Sequence, residues 1–230
     1  NDRWFHISDG LLQPGEVNPG QLETDRRAGE VKIKDINGYL RDKMGNKIYD
    51  ENGRPMYSNM PDGIIDNADL VMKYNNTPIP FSWTNNFRWK GFDLGISMYG
   101  KFHQWKGNDK KSGANPETLL SGGNTLVYVK DQYSYDNLDS QVPSFRFWQH
   151  GGVGYGDFFV EKAWYIRIDN ITLGYTLPKK WIRGVFSSVR FYGSMKNIAT
   201  ITPYKGADPE YDIYLYPSTS SFTFGVDIKF

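Results

Sequence analysis

The sequence predicts an all-β protein of antiparallel strands, and three observations predict it. Apolar and polar residues alternate with period two along several stretches of about ten residues. Gly, Pro, Asn and Asp punctuate the chain between those stretches, with 24 Gly and 12 Pro in 230 residues. Helix signals are weak throughout. The alternating arms have the length of a tilted strand crossing a bilayer, and the polar stretches between them far exceed routine connections. This combination reads as the wall of a transmembrane β-barrel with long external loops, an aromatic-rich face turned to lipid. The alternative is a soluble or secreted β-sandwich carbohydrate-binding module, which would show shorter loops and more even strand spacing.

Residues 1–80 are loop-rich with short strands, Val31–Lys34 among them. Residues 81–102 give the clearest hairpin. Phe81, Trp83, Phe87 and Trp89 share one parity, Lys90-Gly91 turns the chain, and Phe92, Leu94, Ile96, Met98 and Phe102 continue the apolar face. Residues 103–161 form a long polar region, expected as an extracellular loop. The last strands fall in 162–230. Trp164, Ile166 and Ile168 share one parity, while Ile171, Leu173, Tyr175 and Leu177 share the other. A bulge at Asp169-Asn170 would restore a single apolar face. Val189, Phe191, Gly193 and Met195 mark the next strand. Phe222, Phe224, Val226, Ile228 and Phe230 mark a strand running to the last residue.

Composition removes several function classes. The chain has no Cys, so disulfide scaffolds, Cys-ligated zinc and thiol chemistry are excluded. Lys and Arg number 27 against 26 Asp and Glu, a net charge of +1 that argues against a nucleic-acid partner. No run approaches the length of an apolar membrane helix. The chain opens on Asn1 rather than Met and shows no signal-peptide pattern, as expected of a mature secreted protein, a proteolytic piece or a later segment. The 16 Tyr, 14 Phe and 7 Trp are too many for so polar a chain to hide in an ordinary core.

Catalytic signatures are missing. His6, His103 and His150 do not sit at ligand spacing, and no nucleophile elbow or phosphate loop occurs. No enzyme activity and no required cofactor are expected. Asp35 and Asn37, with Asp62, Asp66 and Asp69, place short oxygen side chains beside Gly38 and Gly63. That is the chemistry of a calcium (Ca2+) loop without an EF-hand register. The same residues also fit Asx-stabilised turns. In the polar region Trp105, Tyr128, Tyr133, Tyr135, Phe147, Trp148 and Tyr155 are candidates to stack on a sugar ring or meet a partner, or to pack the loops on one another.

The run Tyr165-Ile166-Arg167-Ile168-Asp169-Asn170-Ile171-Thr172-Leu173-Gly174-Tyr175-Thr176-Leu177-Pro178 resembles one near the end of SusC/RagA-type TonB-dependent outer-membrane transporters of Bacteroidetes. Val189–Ile198, Tyr204–Glu210 and Tyr216 to Phe230 are similar to the segments that follow it there. Upstream, Gly29–Gly38, Asp62–Asp69 and Lys90–Leu94 resemble family motifs in the same order. The acidic motif is contiguous in the family, whereas residues 39–61 split it here. The resemblance implies the C-terminal portion of a 22-stranded barrel in the bacterial outer membrane, with Phe230 as its assembly signal. It implies part of an active importer of glycans or peptides. The implied partners are a SusD-like surface lipoprotein, TonB–ExbB–ExbD through the missing N-terminal part, and outer-membrane lipid.

Overall fold

Lys90 and Gly91 both adopt positive φ, 46° and 90°, as a tight two-residue hairpin turn requires. They join two consecutive strands of 11 residues each. The computed structural model describes residues 2–22, 27–75, 77–112, 122–150, 156–182, 184–212 and 215–230. Among them eleven strands run in order: β1 (Asp2–Phe5), β2 (Ser8–Leu11), β3 (Val31–Ile33), β4 (Val71–Asn75), β5 (Ile79–Trp89), β6 (Phe92–Phe102), β7 (Trp105–Gly107), β8 (Val160–Lys162), β9 (Tyr165–Thr176), β10 (Ser188–Ile201) and β11 (Ser221–Lys229). Pairing gives one five-stranded sheet, β11-β10-β9-β6-β5, and two-stranded sheets β1-β4, β2-β3 and β7-β8. The chain divides into two compact units, residues 1–76 with 107–160, and 77–106 with 161–230.

The first unit has the apolar core. Leu11, Val31, Ile33, Tyr133, Phe147 and Phe159 cluster there. Leu11 comes from β2, and Val31 and Ile33 from β3, where alternation turns both inward. The edge of β3 is closed by a side chain. Buried Asn18 accepts from the Ile33 amide at 2.7 Å and donates to the Val31 carbonyl at 2.9 Å, so the buried strand edge keeps its hydrogen bonds.

Residues 39–57 of this unit carry a repeat. Asp42 Oδ1 accepts the amides of Met44 and Asn46, and Asp50 Oδ1, eight residues on, accepts those of Asn52 and Arg54. Gly45 and Gly53 supply positive φ at equivalent places. Leu40, Ile48 and Met56 then exchange backbone bonds in a ring: Ile48 N to Leu40 O, Met56 N to Ile48 O, Leu40 N to Met56 O.

The second unit is the five-stranded sheet. Cross-strand pairs Phe87↔Leu94, Leu94↔Leu173, Leu173↔Gly193 and Gly193↔Phe224 put the apolar residues on one face. The bulge falls at Asp169: Ser97 pairs with Asn170 and Met98 with Ile168. The other face is polar, and hydrogen bonds link several of its groups. Arg167 donates to Asp208 through Nη2 at 3.0 and 2.8 Å and to Ser218 Oγ at 3.1 Å. Ser194 Oγ donates to Asn170 Oδ1 at 2.9 Å. The apolar face stands open, with Trp89, Phe191, Phe222 and Phe224 among its exposed side chains.

The expected 22-stranded transmembrane barrel is not what the described residues form. They make a small domain of several sheets, the largest an open ladder with β5 and β11 as its edges. Among the described residues this sheet stays open and does not close into a barrel. No described helix is long and apolar enough to cross a membrane.

Candidate functional site

The long polar region supplies the site. Within the first unit, the chain leaves the 3-10 turn Val127–Asp131 and runs alongside Val142. The Tyr133 amide donates to the Val142 carbonyl at 2.8 Å, and Gln132 bridges Val142. This pins the two neighbouring tyrosines in opposite roles. Tyr133 is 5% exposed in the core cluster, its hydroxyl 3.4 Å from Gln13 Oε1. Burial pushes its phenol pKa up. Tyr135 is 73% exposed. It sits within a tight turn, in which Asn137 N donates to Ser134 O at 2.9 Å.

Tyr135 rims a cleft of about 440 Å3, lined also by Ala28, Gln132, Tyr133, Ser134, Ser144, Phe145 and Arg146. Among the described residues, Gln132 Oε1 and Ser144 Oγ are buried without a hydrogen-bond partner. Arg146 lies 3.9 Å from buried Glu30, which also pairs with Arg27 at 3.2 Å. The cleft therefore offers a ring face, a carboxamide, hydroxyls and a charge-compensated guanidinium. Such a set suits a ligand with both C–H faces and hydroxyl groups.

The other candidates fall elsewhere. Tyr128 is half-buried, its hydroxyl 3.4 Å from the Gln141 carbonyl. Trp105 belongs to the second unit, with Lys162 Nζ 5.7 Å above its ring. Phe147 is buried in the core. Tyr155 and the Trp148 side chain lie outside the described residues. Phe230 is exposed and packs on Phe186, ring centroids 5.3 Å apart.

The split acidic motif does come together across its insertion. Asp35 accepts the amides of Asp62 and Gly63, at 3.3 and 2.6 Å. Asp69 accepts those of Ile36, Asn37 and Asp66, at 2.8, 3.1 and 2.9 Å. Asp66 accepts Ala68 N and Asp62 accepts Ile64 N. Each carboxylate is thus spent on backbone amides, the work of Asx turns and a capping box. Among the described residues no three or more His, Asp or Glu converge as a metal cluster.

Sequence reading missed one group. Trp4, Asn37, Tyr57, Asn67, Ala68 and Leu70 line a second cleft of about 520 Å3 in the first unit. Its only local signal is the eight-residue repeat that delivers Tyr57, readable as Asp42…Gly45 followed by Asp50…Gly53.

Fold and cleft together define a β-sheet protein with aromatic-rimmed clefts in its loop-rich unit. By sequence, the chain is a distant, partial homologue of SusC/RagA-family TonB-dependent transporters. It is 27% identical over 195 residues to the TonB-dependent receptor SusC of Bacteroides thetaiotaomicron, covering 80% of this chain and 19% of that one. It is 26% identical over 190 residues to the TonB-dependent receptor P3 of Formosa agariphila, covering 73% and 18%. The chain thus spans about a fifth of the length of these relatives. The fold is similar to part of the RagAB peptide importer in its closed-closed state (TM-score 0.64, 19% identity, 99% of this chain and 23% of that one). The open-open state gives a TM-score of 0.65 at 18% identity, covering 100% and 22%. No protein-family model matches.

These matches cover under a quarter of the importer chain, and the described sheet is open. The expected role as part of an inserted outer-membrane transporter is corrected accordingly. So are the multi-pass outer-membrane location and the assignment to a C-terminal barrel portion in particular.

Proposed function

We propose that the chain is a carbohydrate-binding β-sheet module, related to SusC/RagA-family transporters and working beside a SusD-like lipoprotein in glycan handling. The observation that carries it is the exposed Tyr135 ring at the rim of a cleft whose Gln132 Oε1 and Ser144 Oγ lack partners among the described residues. An aromatic face stacks on the C–H face of a pyranose, and fixed amide and hydroxyl groups read its hydroxyls. The relation to SusC favours a glycan. The RagAB peptide importer and peptide transporter structures make an oligopeptide the competing ligand. Calorimetric titration of the 230-residue chain with neutral oligosaccharides of glucose, mannose, galactose and xylose, and with matched oligopeptides, tests the reading. Saturable binding of at least one oligosaccharide is expected. Binding of peptides alone, or of neither, overturns it.

A further inference from the structure

The cleft between Trp4 and Tyr57 has the construction of a binding site that owes nothing to Tyr135. One of its two aromatic walls, Tyr57, is held from behind, and the other, Trp4, is placed by strand pairing. Trp4 sits on β1 opposite Met72 of β4. Tyr57 bridges Tyr39 and stacks on its ring, centroids 5.3 Å apart at 28°. Lys47 Nζ lies 3.5 Å over the Tyr39 ring, completing the stack. Trp4 and Tyr57 nonetheless stay 59% and 45% exposed. Held rings lose little freedom when a ligand stacks on them.

The polar wall is held as well. Asn37 Oδ1 accepts the amides of Gly38 at 3.0 Å and Asn59 at 2.8 Å. Both bonds orient the carboxamide, and its Nδ2 donates to no group among the described residues. Asn67, on the opposite side of the split acidic motif, is exposed and adds a second carboxamide. Ala68 is buried beneath. No lining side chain carries a formal charge. A neutral ligand with an apolar ring face and hydroxyls is the chemistry such walls select.

We propose that this cleft is a second, independent binding site for the ring of a neutral saccharide. The repeat of residues 39–57 builds it by placing Tyr57 against Asn37. The site stands on different residues from the Tyr135 cleft, so either can fail alone.

Calorimetric titration of the full chain with maltotetraose, cellotetraose, mannotetraose and xylotetraose tests this in a Tyr135→Ala background. A saccharide is expected to bind there still. Adding Trp4→Ala or Tyr57→Ala should weaken that binding about tenfold. Asn37→Asp keeps the acceptor for Gly38 and Asn59 but removes the donor, and should weaken it about fivefold. Trp4→Phe keeps a ring and should bind, which separates lost stacking from lost folding; circular dichroism checks each variant. The proposal is overturned if no saccharide binds the Tyr135→Ala chain. It is equally overturned if folded Trp4→Ala, Tyr57→Ala and Asn37→Asp variants all bind as their parent does. Equal binding by Tyr135→Ala and wild type would sink the Tyr135 reading and leave this one standing.

Discussion

Arg190 on β10 grips Asp93 on β6 across the intervening strand β9, Nε to Oδ1 at 2.9 Å and Nη2 to Oδ2 at 2.6 Å. The residue crossed is Gly174. A Cβ there would stand 2.5 Å from Arg190 Nη2 and 2.6 Å from Asp93 Oδ1. The same guanidinium reaches Asp227 on β11 through Nη1 at 2.9 Å. One side chain thus ties three strands of the sheet, and the missing side chain of Gly174 leaves the channel it needs.

Gly174→Ala should therefore be more damaging than an ordinary strand Gly→Ala change, which usually gains propensity. Overpacking and the displaced ion pair should cost about 1–3 kcal/mol. Urea unfolding checks it. Unchanged stability would mean that the ion pair rearranges freely.

Arg190 hydrogen-bonds Asp93 and holds its carboxyl below the usual carboxylate range. A depressed acid contributes stability above its unfolded pKa, about 4, and that stability is lost as pH falls through the folded value. Both groups are about one-quarter exposed, at 26% and 27%, so the contribution is about 1 kcal/mol. Asp93→Asn should flatten this part of the acid limb of the melting temperature against pH. An acid limb identical to wild type would contradict it.

Tyr99 behaves in the opposite sense. Burial, helped by the Glu210 carboxylate 3.1 Å from its hydroxyl, pushes its pKa up to about 12. Its contribution is complete below the unfolded value of about 10 and is lost as pH rises through about 12. Tyr165, raised chiefly by burial, acts alongside it. Tyr99→Phe should lessen the alkaline destabilisation in that window without abolishing it, as thermal melts between neutral pH and pH 12 would show.

Phe224 is 85% exposed on the open apolar face. Phe224→Ser should change stability by no more than about 0.5 kcal/mol. It should lower self-association in sedimentation velocity, because exposed apolar patches drive contact between molecules.

Much of the second unit was legible. The alternation in 81–102 gave β5 and β6, and Lys90-Gly91 gave their turn. The parity break between Ile168 and Ile171 gave the bulge at Asp169. Period-two patterning fixes faces because each side chain's direction follows from its parity. It does not say how many strands join or whether edges close, and the barrel expectation failed there. In the first unit, β1 pairs with β4 across more than sixty residues, Asp2 opposite Asn75, and such pairings leave no local pattern. The Tyr133 and Tyr135 roles were likewise hidden: both are tyrosines of one parity, and only the Ser134–Asn137 turn and the Val142 bridge part them. The acidic residues were found as a group, but the amides that Asp35 accepts, and two of those that Asp69 accepts, come from the far side of a 23-residue separation, 39–61.

The central claim is that this chain binds a glycan through the Tyr135 cleft. The most direct test is a calorimetric titration of wild type and Tyr135→Ala with the best-bound neutral oligosaccharide. Loss of the aromatic face should weaken binding at that site about tenfold, with an unchanged melting temperature because Tyr135 is exposed. Equal affinity and stoichiometry for the two proteins would contradict the account.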